Sequence, residues 1–404
     1  MPKALIIGGG VVGPAMALFL QRDGWEVELF ESRREPDAFG GLFLNVATNG
    51  LAVLETLGVR ERLLSDAHHC PYMHMRGARG QLLATVPNGP AGEPERGSAV
   101  VRREWLNLVL REAAEAAQIP TRWGTRLERI EEGPDAVTAH FADGTSAVGD
   151  ILIGCDGVGS VTRRWIDPHA PEPRYAGLLS VGGFARVEGL QPTPDAQTMV
   201  FGEHGFFGYL VREDATVYWF ANPTHEEIDR EALRTWPRDE ILAELRDAHR
   251  NDPYPVPQIL DGVVGAVGAY GVYELTHVPS WHRGRVVALG DAVHATSPSA
   301  GQGASLALED AATLAQCLRT GGFPDAFARY QQRRQPRAEK VVAYAASINR
   351  NKRVPRTRLT RWLRDAMLPV FLRGAMTDTR NNDLYNYVVA DEPAPSPDGH
   401  PRRR

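Results

Sequence analysis

Apolar and polar positions along the first thirty residues alternate in a strand–helix–strand rhythm. Residues 3–7 (KALII) form a short apolar run of the length a buried strand takes. A glycine cluster follows, then an apolar stretch reading as a helix over 14–23 and stopped by Gly24. Residues 26–30 predict a second strand that ends in Glu31. Apolar strands of the same kind recur at 150–154 and 284–289, each running into an acid and glycines before a helix begins. Residues 103–117 carry the spacing of an amphipathic helix, with Leu106 and Leu110 on one face. From about 174 to 271 the texture changes to short β runs separated by turns, at 177–187, 199–201, 206–211 and 217–222. A polar helical stretch over 225–248 is interrupted at Trp236-Pro237. This part predicts an antiparallel sheet with helices. A helix over 323–350 and a helical wrap over 351–390 follow, with Trp362, Phe371, Tyr385 and Tyr387 docking on the body; 391–404 is Pro-rich and reads as a disordered tail. Residues 88–97, rich in Pro, Gly and Glu, read as an exposed loop, and the basic run 331–337 reads as a solvated helix face.

Composition narrows the classes. A chain of 404 residues predicts two or three domains. Its net charge of −5 gives no reason to expect a nucleic-acid partner. Three widely separated cysteines, Cys70, Cys155 and Cys317, argue against a disulfide framework and for a reducing, cytoplasmic setting. No spacing of His, Cys, Asp and Glu fits a metal site. The apolar N-terminal stretch is broken by Gly8-Gly9-Gly10 and Gly13-Pro14, and no stretch reaches the roughly 20 apolar residues of a membrane span.

The glycines carry the candidate chemistry. Gly8 to Gly13 is a G-x-G-x-x-G set between a strand and a helix, with Glu31 about 20 positions on. In such a unit Gly8 makes the tight turn, Gly10 lets the backbone approach a pyrophosphate, and Gly13 allows close helix–strand packing. Glu31 suits an adenosine ribose and would repel a 2′-phosphate, which favours FAD or NAD over NADP at this site. Gly290-Asp291 closes the strand at 284–289. After a loop carrying Pro298, Gly301-Gln302-Gly303-Ala304 opens an apolar helix whose unpaired N–H groups favour an anion or an electron-rich oxygen. Asp156-Gly157 ends the strand at 150–154. Arg103 opens R-x-x-L-x-x-x-L, where a cation opposes the helix dipole and so hints at a partner. Arg102 is its rival.

These motifs agree in order and spacing with one family over nearly the whole chain. The stretch 289–310 (LGDAVHATSPSAGQGASLALED), the opening βαβ unit and the Asp156-Gly157 motif resemble the three fingerprints of the class A, single-component FAD-dependent aromatic hydroxylases, the para-hydroxybenzoate hydroxylase family. The resemblance implies an α/β fold: a Rossmann-like FAD-binding domain (1–72, 98–172 and 272–345), an inserted antiparallel β-sheet substrate domain (73–97 and 173–271), and a C-terminal helical segment (346–390). It implies non-covalent FAD held by Gly8, Gly10, Val12, Gly13, Glu31, Ser32, Arg33, Arg103, Asp156, Gly157, Gly290, Asp291, Pro298, Gly301, Gly303 and Ala304. In the family an arginine directly follows the acid at the end of the second strand; here Ser32 intervenes, and Arg33 and Arg34 both remain candidates. His294 is read as structural and Cys155 as a small buried core residue. The segment Gly40-Gly41-Leu42 resembles one that lies beside the flavin in the family.

The implied reaction uses NADPH or NADH as transient reductant and O2, forms a hydroperoxide at flavin C4a, and oxygenates an aromatic or polyketide-like small molecule, a chemistry of secondary metabolism. A reductase or oxidase on the same fold is the alternative, and a binding protein that lost its flavin a third. Arg186, Phe207, Tyr209 and Trp219 are the candidates for the substrate cavity, in a domain crowded with aromatic residues. No catalytic side chain is assigned, and the oligomeric state is open.

Overall fold

The computed structural model describes residues 1–35, 42–323, 325–352 and 380–389. Gly40, Gly41, Trp362, Phe371 and the tail at 391–404 lie outside them. The KALII run is the third strand of a six-stranded sheet ordered Thr121–Trp123, Glu26–Glu31, Lys3–Ile7, Ile151–Gly154, Val286–Ala288, His282–Arg283. All neighbours are parallel except the last pair. Ala4, Leu5 and Ile6 are fully buried, as a strand covered on both faces requires. Helix α1 (Val12–Arg22) buries every residue from Val12 to Leu20. Helix α2 (Arg103–Ala116) buries Leu106, Val109, Leu110 and Ala114, the stripe its periodicity predicts. Helix α3 (Gly303–Arg319) packs between α1 and helix α4 (Asp325–Lys352).

The aromatic-rich part forms a seven-stranded sheet, ordered Val263–Glu274, Arg174–Arg186, Thr216–Ala221, Phe206–Val211, Ala196–Phe201, Tyr72–Gly77, Leu82–Pro87. Only the pairing of Ala196–Phe201 with Tyr72–Gly77 is parallel. The helices Arg230–Thr235, Arg238–His249 and Val256–Asp261 bury their apolar sides in one core with Phe207, Tyr209 and Trp219. The break at Trp236-Pro237 falls between the first two helices, where the sequence puts it.

The basic run on α4 differs from expectation. Arg334 is fully buried, not solvated, and pairs with Glu309 at 2.6 Å and Asp310 at 2.7 Å, both on α3 and both fully buried. Arg337 pairs with Glu309 at 2.7 Å. A charged helix face reads as solvated until the facing helix is known, and here that helix supplies the counter-charges. Near the C-terminus, helix Arg380–Tyr385 docks as expected: Leu384 and Tyr385 are buried against Ala47, Leu306 and Val341. The Arg337 guanidinium lies 4.1 Å from the centre of the Tyr387 ring. No helix among the described residues is long and apolar enough to cross a membrane.

Candidate active site

Between the C-terminal ends of the parallel strands and the open face of the large sheet lies a cavity of about 1300 Å³. Its first half is built from Gly10, Val11, Val12, Arg103, Gly157, Asp291, Pro298, Gly301, Gly303 and Ala304. The large sheet supplies Met73, Met75, Met199, Phe201, Phe206 and Phe220, and α4 supplies Lys352.

The opening turn divides its labour among three glycines. Gly8 has φ +111°, and a Cβ there would meet the Cys155 carbonyl oxygen at 2.2 Å. A Cβ on Gly13 would sit 1.9 Å from the Gly8 carbonyl oxygen. Both positions are closed by the protein's own backbone. Gly10 is different: a Cβ there meets nothing within 4 Å. The space beside Gly10 is open, and it adjoins an α1 N-terminus with no side-chain cap and no acid in its first turn. At the end of the second strand, Glu31 accepts from Gly9 N–H at 2.7 Å and from Arg33 N–H at 2.8 Å. Ser32, Arg33 and Arg34 are exposed beside it. Gly8, Gly13, Glu31, Ser32 and Arg33 thus shape or flank the turn and do not line the cavity itself.

The second motif is pinned from behind. Gly290 (φ +61°) donates its N–H to Asp310 Oδ2 at 3.0 Å, and His294 Nε2 meets the same oxygen at 2.5 Å. Arg334 Nε donates to Asp310 Oδ1 at 2.7 Å. Burial works to raise the Asp310 pKa, but His294 and Arg334 hold it down at about 2. Burial alone would lower the His294 pKa; Asp310 more than reverses this and raises it, the structural role expected of that histidine. Asp291, next in sequence to the pinned glycine, opens into the cavity. Desolvation raises its pKa, against the pull of His294 and Arg103. Helix α3 then begins at Gly303 with no side-chain cap and no acid in its first turn. Beneath that start, Asn49 donates to Gln302 Oε1 at 3.0 Å and to Glu309 at 2.6 Å.

Two arginines are told apart. Arg102 is engaged by Asp66 at 2.6 Å and Glu104 at 3.0 Å, whereas Arg103 lines the cavity. Asp156 departs from its expected place. Its carboxylate accepts from Ser160 Oγ at 2.5 Å and from Thr162 N–H and Oγ1 at 3.0 Å, bracing the start of helix Val161–Ile166; its neighbours Cys155 and Gly157 line the cavity and it does not. Gly290, likewise, holds the turn and leaves the cavity to Asp291. Cys155 is buried at the cavity edge, its thiol pKa pushed well up by burial.

None of the four substrate-cavity candidates lines the cavity. Arg186 is exposed and reaches the Asp214 carbonyl at 3.4 Å. Phe207, Tyr209 and Trp219 point to the opposite face of the sheet, where Phe207 and Trp219 stack at 5.8 Å. Their sequence neighbours Phe206 and Phe220 take the cavity side, since successive side chains alternate faces. A Cβ on Gly208 would fall 2.2 Å from the Phe220 ring, so that glycine makes the room the ring occupies.

Among the wall residues that escape the sequence reading are Asn88 and Lys352. Asn88 opens the loop read as exposed, yet it is buried, donates to Asn45 Oδ1 at 3.0 Å and to the Cys70 carbonyl at 2.8 Å, and lines the cavity. Lys352 ends α4. The one available signal was its rarity: Lys3, Lys340 and Lys352 are the only lysines among 45 basic residues.

A flat dinucleotide fits this arrangement. An open cradle at Gly10, two helix starts with unpaired N–H groups and a carboxylate at Asp291 open to the cavity are what a phosphate-bearing, hydroxyl-rich, planar group such as FAD demands.

Comparison with known proteins agrees. A family model described as FAD binding domain matches residues 1–345. The chain is 31% identical over 346 residues to aurachin C monooxygenase/isomerase of Stigmatella aurantiaca, covering 84% of this chain and 86% of that one. It is 32% identical over 362 residues to 3-amino-4-hydroxybenzoate 2-monooxygenase of Streptomyces cremeus, covering 87% and 88%. It is 30% identical over 365 residues to 6-hydroxynicotinate 3-monooxygenase of Pseudomonas fluorescens, covering 84% and 89%. Among solved structures, Klebsiella pneumoniae HpxO complexed with FAD and uric acid superposes with a TM-score of 0.81 at 24% identity over 95% of each chain, a likeness of fold.

Proposed function

We propose a substrate class and a set of site roles on one premise: this chain belongs to the family of FAD-dependent aromatic monooxygenases marked by the FAD binding domain. It is an oxidoreductase with FAD as its cofactor and NADPH or NADH as its reductant. The substrate is a small planar aromatic or heteroaromatic compound, and the reaction is its hydroxylation. The observation that carries this reading is the cavity itself, which joins a dinucleotide-type end to an apolar wall of Phe201, Phe206, Phe220 and three methionines. Relatives at about this distance are named for hydroxylated and heterocyclic aromatics.

Bound in the cavity, FAD would supply the redox chemistry, in which the nicotinamide gives two electrons and O2 gives one oxygen atom to the substrate and the other to water. The chain's residues position and shield. The unpaired N–H groups at the start of α1, beside Gly10, take the diphosphate. Glu31, held by Gly9 and Arg33, accepts from the adenosine ribose. Asp291 would accept from the ribityl chain, and Arg103, which lines the same cavity, would also hold the cofactor. The start of α3 at Gly303 and Ala304, beside the Gly301 turn, would offer its N–H groups to the electron-rich edge of the ring, where fixed dipoles stabilise negative charge. The phenylalanines and methionines keep water from the reacting face.

Asp291→Ala is expected to weaken FAD binding by about tenfold or more, the effect of losing a charge-assisted hydrogen bond. Titrating apoprotein with FAD and following flavin fluorescence measures it; wild-type affinity in the variant would remove Asp291 from the cofactor's ligands. The reaction class is tested with ¹⁸O2 and a panel of aromatic acids, phenols and aromatic polyketides. We expect NADPH or NADH oxidation to rise with one compound and a single labelled oxygen to appear in it. A compound altered without label would move the assignment to a reductase or oxidase.

A further inference from the structure

Lys352 is built into the cavity wall on the side of the phenylalanines. It is 6% exposed, and it lines the cavity from the last turn of α4. Its Nζ donates to Asn222 Oδ1 at 2.9 Å. It stands 4.0 Å from the centre of the Phe206 ring and 5.7 Å from that of Phe220. Among the described residues no carboxylate pairs with it. An ammonium has three donors, and here one amide oxygen and two ring faces are all that meets them.

Such a group is expensive to keep charged. Burying an ammonium without a counter-ion disfavours its charged form. Desolvation lowers the Lys352 pKa to about 7, with no acid acting to raise it. The buried cation Arg334, by contrast, is matched by Glu309 and Asp310. Among the described residues Lys352 lacks that match, and it faces the space where an aromatic ligand would lie against Phe206 and Phe220.

We propose that Lys352 binds an anionic oxygen substituent, a ring carboxylate or phenolate, of the planar substrate, and so makes this enzyme selective for acidic aromatics. The proposal rests on the reading that the cavity takes an aromatic substrate. The ligand's oxygen supplies the counter-charge the wall omits, while its ring lies along the two phenyl groups that flank the amine.

The test uses the FAD-loaded protein and two probes of one shape, 1-hydroxy-2-naphthoate and its neutral carboxamide. Each is titrated while the visible absorption of the bound flavin is followed, so no turnover is needed. The native protein should bind the carboxylate about tenfold or more tightly than the carboxamide. Lys352→Met should weaken carboxylate binding by about tenfold or more and leave carboxamide binding within about twofold, with FAD content and melting temperature unchanged. Lys352→Arg should keep the preference. If the methionine variant loses FAD, Lys352→Gln is read in its place. The proposal is overturned if the native protein does not discriminate, if the apolar or amide variant keeps the preference, or if neither probe perturbs the native flavin. A protein that discriminates between the probes but incorporates no oxygen into any compound would keep this proposal and defeat the hydroxylation reading.

Discussion

Arg334→Met is expected to destabilise the folded protein by about 3–5 kcal/mol, because it leaves buried carboxylates without their cation. Arg334 is fully buried and bridges Glu309 and Asp310 at 2.6 and 2.7 Å. Methionine fills much of the same volume, so the loss is electrostatic and not a cavity effect. Glu309 keeps Arg337, whereas Asp310 keeps His294 and the Gly290 N–H but loses its guanidinium. Urea unfolding of wild type and variant measures the difference; a change below about 1 kcal/mol would mean that water or a rearranged side chain replaces the guanidinium. The pH dependence has a definite sign. The folded pKa of Asp310, about 2, lies below its ordinary 3.8, so its contribution is present above pH 4 and is lost as pH falls through 2. The folded pKa of His294 is raised above its ordinary 6.5, so its contribution is present below that value and is lost as pH rises through the folded one. In the variant the acid limb should move to higher pH, since the Asp310 pKa rises when Arg334 is gone. The Gly290-Asp291 turn hangs on Asp310, and FAD retention should fall with stability.

Gly10→Ala and Gly13→Ala should part company. A methyl at Gly13 falls 1.9 Å from the Gly8 carbonyl oxygen, which is backbone and cannot swing aside. Helix α1 must lift from the strand or the turn must open, with an expected cost of about 3 kcal/mol or more and no FAD bound. A methyl at Gly10 meets nothing within 4 Å, and its backbone is not left-handed. The Gly10→Ala apoprotein should melt within a degree or two of wild type, while its FAD affinity falls by about tenfold or more as the methyl takes the space of the diphosphate. Melting curves of both apoproteins and FAD titrations give the comparison. Wild-type FAD affinity in Gly10→Ala would place the diphosphate away from this turn.

The glycine turns could be read in advance because their constraints are local. A close strand–helix approach at Gly13 and a left-handed turn at Gly290 are satisfied by a residue type and a spacing, whatever lies elsewhere. The fold followed, since three such turns, each after an apolar strand, demand one parallel sheet. The face of the second sheet was beyond reach for a physical reason. Phe206–Val211 is buried at all six positions, so it carries no polar residue to set the phase of its alternation. Phe207 and Trp219 were therefore chosen where Phe206 and Phe220 were needed, a slip of one residue. Asp156 misled in another way: a carboxylate after a strand reads as a ligand-facing group, but Ser160 and Thr162, four and six positions on, already bind it. Arg334, Asn88 and Lys352 depend on which helix or loop lies opposite, and no local pattern announces that.

The wall of the cavity begins at Gly10 and includes Lys352 and Tyr385. In a cell the chain appears in order, at about 5–20 residues per second, so the first and last parts of this wall are separated by roughly 20–75 s of synthesis. For about three quarters of that interval the first nucleotide turn exists without the Asp291 turn or the α3 start, and to its end without Tyr385. Phe206 and Phe220 are exposed for much of it, with nothing yet to cover them. The half-made protein, with this wall incomplete, is therefore the form expected to need a chaperone most.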